Sequence, residues 1–183
     1  MLNFFSWFLI PLLTVSMAGP GNWTETNFSV SGSRPPGQLL LLLWGAATGG
    51  YFYSLLRRTA SRMPGIKAEK RLTVPAAAAA LLRAVSVFLP YRPETSRYLS
   101  AVHVGCAFFA SALLYLLLFL LAFKMYFYRP ETYRRPVVFL LAALPVCLFL
   151  FADSGWLISS SLETFFTIFC CLWLNRFYRL LPG

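Results

Sequence analysis

The sequence predicts an all-α fold, a polytopic transmembrane bundle of six helices. Hydrophobic residues make up 58% of the 183 residues and charged residues only 12%, which leaves too little polar surface to coat a soluble globule of this size. A helix that spans a bilayer needs roughly 20 apolar residues, and six such runs occur along the chain. We therefore predict a single transmembrane domain over residues 1–183.

The six predicted helices follow one another closely along the chain. They are residues 2–18, 38–56, 74–90, 99–123, 136–152 and 155–174. The longest connections between them, residues 19–37 and 57–73, are too short to fold alone. One membrane-embedded domain therefore accounts for the whole chain.

The first helix, residues 2–18, has two interpretations. Ser16-Met17-Ala18 is a small-x-small pattern of the kind found at signal-peptide cleavage sites, but no basic residue precedes the apolar run. A retained helix is therefore favoured over a cleaved signal peptide, and the later topology is the same in both. Residues 19–37 are rich in Gly, Pro, Asn, Ser and Thr, which predicts an outward loop at the interface.

The second helix, residues 38–56, carries small residues on one face. Gly45 and Gly49 are four positions apart, and Ala46 and Gly50 repeat that spacing. Small residues at this spacing let the backbones of two membrane helices approach closely. We therefore interpret Gly45, Gly49 and Gly50 as a helix-packing face rather than as a ligand site.

Short connections separate the last four predicted helices in pairs, and an interfacial segment ends the sixth. The third and fourth are separated by a short polar connection, and the fifth and sixth by a tight turn near Asp153 and Ser154. That turn predicts an antiparallel hairpin. The sixth helix ends at Asn175-Arg176-Phe177-Tyr178-Arg179, where aromatic and basic side chains are typical of a membrane interface.

The basic residues predict the orientation of the chain in the membrane. Lys and Arg number 16 against 6 Asp and Glu, a formal net charge of +10. Most of them fall in alternate connections or in the tail: Arg57, Arg58, Arg62, Lys67, Lys70, Arg71, Lys124, Arg129, Arg134, Arg135, Arg176 and Arg179. The opposite connections carry Arg34, Arg92 and Arg97. The positive-inside rule then places the even connections and both termini in the cytoplasm. The positive charge therefore indicates the topology and predicts membrane lipids as partners. It does not indicate a nucleic-acid partner.

The cysteines and the single histidine argue against a metal or cofactor. Cys106, Cys147, Cys170 and Cys171 all lie inside predicted helices, without CxxC or metal-ligand spacing. We expect free thiols. Serine-nucleophile motifs, phosphate-binding Gly loops and HExxH are also absent from the sequence. No metal site and no cofactor are predicted.

Ionisable side chains inside a membrane are costly, so each is a candidate for function. Arg83 lies near the middle of the third helix, and Glu163 about two turns inside the outer end of the sixth. With a rise of about 1.5 Å per residue in a core of about 30 Å, Arg83 and Glu163 come to similar depths, roughly 15 and 18 Å above the inner boundary. We predict that they pair, directly or through water, and leave open whether the pair is a structural pin or a ligand site.

His103 lies about one turn inside the outer end of the fourth helix, higher than the predicted pair. A lone histidine at such a position more often hydrogen-bonds a neighbouring helix than binds metal or moves protons. With His103, four other polar residues can line a cavity open to the outside or to the outer leaflet. They are Asp153, Ser159, Ser160 and Thr164.

Three stretches resemble a known family. They are Trp23-Thr24-Glu25-Thr26-Asn27-Phe28-Ser29 after the first helix, Phe88-Leu89-Pro90-Tyr91 at the end of the third, and His103 opening the fourth. Together with six spans, they resemble the uncharacterised bacterial six-helix membrane proteins distantly related to the damage-regulated autophagy modulator and GPI-lipid-remodelling membrane family. The resemblance covers nearly the whole chain. It implies a six-helix bundle with an outward polar first loop and a role in membrane lipid handling.

The leading functional hypothesis is a non-enzymatic protein of the bacterial cytoplasmic membrane. It binds a lipid or amphiphile, or supports a membrane complex, through an outward-facing polar pocket organised by Arg83 and Glu163. A homo-oligomer is compatible with either role. One alternative is a lipid-modifying enzyme in which Glu163 or His103 acts as general acid or base. Another is a transporter of small solutes or ions, for which the sequence lacks the expected pair of interrupted helices.

Overall fold

The computed structural model describes residues 2–33, 35–63, 67–89 and 91–182, with the backbone alone for residues 67–71. Within these ranges every regular element is a helix, so the all-α class is confirmed. The helices are α1 (Leu2–Ala18), α2 (Phe28–Ser31), α3 (Gly37–Arg62), α4 (Lys67–Phe88), α5 (Arg97–Tyr128), α6 (Pro130–Asp153) and α7 (Ser160–Leu180). Helix α1 contains one π-helical stretch, Phe5–Leu9.

Three helices, α3, α5 and α6, are long and apolar enough to cross a membrane. Helix α1 and the Leu72–Phe88 part of α4 are shorter apolar helices. Their length and composition indicate an integral membrane protein. Each predicted transmembrane segment overlaps a helix of the structure, and the number of six spans stays a prediction.

The helices extend further than the apolar runs that predicted them. Helix α3 continues to Arg62 and α5 to Tyr128, while α6 already begins at Pro130. Arg, Lys, Glu and Gln are good helix formers, so the helices continue through the polar residues at which the predicted segments stop.

The predicted start of the last helix is wrong. Residues 155–159 are not helical, and α7 begins at Ser160. Gly155 and Trp156 have φ angles of 68° and 65°, in the left-handed region that a right-handed helix cannot contain. The side chain of Ser159 then caps α7 by accepting a hydrogen bond from the Leu162 amide at 3.4 Å. The connection after α6 is therefore longer than a tight turn.

Neighbouring helices run in alternating directions, and side-chain contacts define the two ends of the bundle. From α3 to α7 each helix packs on the next, while α1 packs against both α3 and α7. At one end Tyr133 of α6 donates a hydrogen bond to the Leu180 carbonyl at 2.8 Å. There the Arg62 guanidinium of α3 also lies 4.4 Å from the Tyr178 ring centroid. We call this the basic end, because most Lys and Arg residues lie there, and the opposite one the loop end.

The interior of the bundle holds two apolar clusters. The larger one is built by α3, α5, α6 and α7 around side chains such as Leu55, Leu118 and Leu174, which are fully buried. The smaller one lies near the loop end and joins Met17, Phe28 and Trp44 with neighbouring apolar residues. Helix α6 is peripheral, since only 11% of its apolar stretch is buried.

Of the three glycines on the predicted small-residue face of α3, only Gly45 lies close to a neighbouring helix. A Cβ on Gly45 would lie 2.6 Å from Cγ2 of Val87 in α4, closer than real carbon atoms come. A Cβ on Gly49 or Gly50 would meet nothing within 4 Å. Only Gly45 therefore needs to be glycine for α3 and α4 to pack.

Candidate functional site

The loop end is partly covered by the chain itself. Residues 23–31, which we call the plug segment, fold back onto the start of α7. The amide of Ser160 donates to the Thr26 carbonyl at 2.7 Å, and the amide of Ser161 donates to the Trp23 carbonyl at 3.1 Å. The first amides of a helix have no partner within it, so the plug segment satisfies two of those of α7.

Glu163 holds the plug segment from the first turn of α7. Its Oε2 accepts a hydrogen bond from the Phe28 amide at 2.7 Å. Phe28 opens α2, and the Asn27 side chain caps the same short helix by accepting from the Val30 amide at 2.8 Å. A carboxylate bonded to a backbone amide makes a charge-assisted hydrogen bond, which is the contact that Glu163 makes here.

His103 holds the next residue of the plug segment. Its Nε2 lies 2.6 Å from Oγ of Ser29, and its Nδ1 lies 2.9 Å from the Leu89 carbonyl at the end of α4. Because a carbonyl can only accept, Nδ1 donates to Leu89, and Nε2 shares a second hydrogen bond with the serine hydroxyl. With 3% of its surface exposed, His103 links α4, α5 and the plug segment.

Arg83 lies deeper, against an aromatic side chain. Its guanidinium carbon is 4.0 Å from the Trp44 ring centroid, a cation–π contact. The Phe28 ring meets Trp44 edge-on at 4.9 Å between centroids. The indole nitrogen of Trp44 donates to Oγ1 of Thr14 at 2.9 Å, so Trp44 connects α1, α3, α4 and the plug segment.

The structure shows no direct contact between Arg83 and Glu163, and their predicted pairing through water stays a prediction. The two side chains interact electrostatically, yet among the described side chains no ion pair with a nitrogen–oxygen distance of 4.0 Å or less joins them. The reason is that each has another partner, the Trp44 ring for the guanidinium and the Phe28 amide for the carboxylate.

The other predicted site residues serve the loop end in different ways. Ser159 caps α7, and the Ser160 hydroxyl lies 3.4 Å from that of Thr26. Asp153 is exposed at the end of α6. The hydroxyl of Thr164 is buried and has no hydrogen-bond partner among the described residues. The plug segment thus occupies the place where we predicted an outward cavity.

A small cavity lies beside Arg83 in the middle of the bundle. Its volume is about 40 Å³, and its polar lining comes from Arg83, Thr48, Ser111 and Thr167. A space of this size holds a water molecule but no lipid headgroup. The predicted polar pocket is therefore water-sized in this structure.

The larger space is a cleft at the basic end, between α1, α6 and α7, with a volume of about 740 Å³. Its apolar residues are Trp7, Pro136, Phe139, Phe169, Leu172, Trp173, Phe177 and Leu180. Its polar residues are Glu131, Thr132, Arg135, Asn175, Arg176 and Arg179. We call this space the basic-end cleft.

The sequence pattern predicts no cleft at the basic end. The available signal is the interfacial anchor at residues 175–179. The sequence does not show that α1 and α6 lie on either side of residues 175–179. Trp7 and Arg135 come from those two helices.

Metal chemistry has no support in the described ranges. No group of three or more His, Cys, Asp and Glu side chains is placed to hold a metal ion. The four cysteines are free thiols, as expected.

Comparison of the chain with protein-family models, with curated proteins and with solved structures gives no match.

Proposed function

We propose that this chain is a six-span membrane protein with both termini in the cytoplasm, and that it binds an amphiphile in the basic-end cleft. The observation that carries the proposal is the cleft itself. Its volume of about 740 Å³ lies within the range of roughly 300–1,000 Å³ that is typical of small-molecule sites. Its apolar and charged linings suit a molecule with an apolar chain and a polar head.

The walls of the cleft are partly ordered in advance. The Trp173 indole donates to the Pro136 carbonyl at 2.9 Å and stacks on Phe177 with 4.8 Å between ring centroids. A wall whose side chains are already fixed loses little entropy when a ligand binds. Trp7, 58% exposed on α1, lies opposite and offers a second indole, the side chain that is enriched at membrane interfaces.

The loop end supports this choice of site. Glu163 and His103, the groups on which a lipid-modifying enzyme would depend, bond to Phe28 and Ser29 of the plug segment. A substrate could reach either group only after the plug segment had left. We therefore favour amphiphile binding without chemistry, in agreement with the lipid-handling role implied by the family resemblance, and the transporter stays a lesser hypothesis.

Native mass spectrometry of the purified protein tests the proposal. Leu172→Trp puts a large ring into the cleft, and we expect it to lower the amount of retained lipid severalfold. Leu116→Trp is the matched control, because Leu116 lies on α5 with 51% of its surface exposed and away from the cleft. Equal lipid retention by the wild type and both variants, all with similar thermal stability, would rule the cleft out.

A further inference from the structure

We infer that the amphiphile in the basic-end cleft is an anionic phospholipid of the leaflet at the basic end, with its phosphate held by Arg135 and Arg176. The inference rests on the proposed function, since it names the ligand class of the same cleft. The cleft carries three guanidinium groups, those of Arg135, Arg176 and Arg179, against the single carboxylate of Glu131. Its charge is therefore complementary to a negative headgroup.

The arginines of the cleft come from two neighbouring helices. Arg135 comes from the first turns of α6, whereas Arg176 and Arg179 come from the last turns of α7. Residues three apart in a helix lie on the same face, so Arg176 and Arg179 share one wall. An anion between the two helices can then be contacted from both sides.

Two of these guanidinium groups are available to a ligand. Arg135 and Arg176 are exposed, and no described carboxylate forms an ion pair with either. Arg179 is already engaged, because one of its Nη atoms donates to Oδ1 of Asn3. Arginine presents paired N–H donors that match phosphate oxygens, so the free groups suit a phosphodiester.

The apolar part of the cleft fits the remainder of a phospholipid. Phe139, Phe169 and Leu172 line it beyond the charged residues, in the direction of the membrane interior along α6 and α7. An acyl chain would lie there while the phosphate stays at the level of the arginines. A zwitterionic headgroup places a cation beside the same guanidinium groups, so its net attraction is weaker.

The test is lipid selectivity, measured by native mass spectrometry on protein equilibrated with equal amounts of phosphatidylglycerol and phosphatidylcholine. We expect the wild type to retain the anionic lipid in excess. A charge near the membrane surface contributes about 1 kcal/mol, so the paired change Arg135→Gln and Arg176→Gln should lower that excess on the order of tenfold. Retention of phosphatidylcholine should fall less, because its net attraction to the guanidinium groups is weaker.

The matched control removes two other charges from the same end of the bundle. Arg134 and Arg58 are exposed and do not line the cleft, so Arg134→Gln with Arg58→Gln should leave the selectivity unchanged. An equal loss in both paired variants would show that only overall charge matters and would overturn the inference. So would a wild type without selectivity. If Leu172→Trp also fails to reduce retention of either lipid, then the cleft itself is wrong, which separates the two failures.

Discussion

Two threonines buried in the bundle differ in one respect, the partner of the hydroxyl. Thr14 is completely buried, donates to the Ile10 carbonyl at 2.6 Å and accepts from Trp44. Thr59 is equally buried, but its hydroxyl has no partner within the described ranges. A buried polar group contributes to stability only when it is bonded, so the two side chains should respond oppositely to the same substitution.

Thr14→Val should lower the free energy of unfolding by about 1 kcal/mol or more, because it also leaves the Trp44 N–H without an acceptor. Thr59→Val should be neutral or stabilising, since valine has the same shape and no hydroxyl to satisfy. Thermal unfolding of both variants in the same detergent measures the difference. A Thr59→Val protein as unstable as Thr14→Val would mean that a water or lipid bonds Thr59.

At the scale of elements, the plug segment is held to the bundle by a few hydrogen bonds. Ser29→Ala removes the hydroxyl that bonds His103, and a hydrogen bond contributes roughly 0.5–1.5 kcal/mol. We expect amide hydrogen exchange in residues 23–31 to become up to about tenfold faster. Ser33→Ala is the control, because that hydroxyl bonds only the nearby Val30 carbonyl at 2.7 Å. Unchanged exchange in Ser29→Ala would contradict the role given to His103.

The contact of α3 with α4 gives a second prediction at this scale. Gly45→Ala forces the new methyl group against the branched Val87 side chain, and overpacking of this kind costs about 1–3 kcal/mol. Gly50→Ala meets open space and gains helix propensity, so it should be neutral or stabilising. The thermal stabilities of the two variants decide the matter. Destabilisation by Gly50→Ala alone would point to a partner on that exposed face.

At the scale of the whole molecule, the direction of the chain in the membrane can be measured with one added cysteine at a time, after the four native cysteines have been replaced by alanine. Ser61 lies at the basic end and Thr95 at the loop end, and both side chains are exposed. A membrane-impermeant maleimide should label Ser61→Cys only from the cytoplasmic side and Thr95→Cys only from the other. Labelling of both cysteines from one side would contradict the six-span topology.

The sequence predicts the helices better than the contacts between them, for physical reasons. Apolar length and charge placement are local, so the all-α class and the basic end follow from them. The depth of Arg83 follows from helix rise alone. Its stacking on Trp44 does not, because the ring must come from another helix, and the Glu163 bond to Phe28 depends on how a loop folds back. The basic-end cleft combines residues as far apart as Trp7 and Arg176, which no local pattern connects.

The two ends of the bundle differ in how accessible they are to a ligand. The plug segment is bonded to Glu163, to His103 and to the first amides of α7. It therefore covers these groups at the loop end. The basic-end cleft, by contrast, is lined by α1, α6 and α7, and α6 is the least buried of the three long apolar helices α3, α5 and α6. We therefore expect the proposed amphiphile to enter the cleft sideways, from the bilayer, so that its binding depends on its concentration in the leaflet rather than in water.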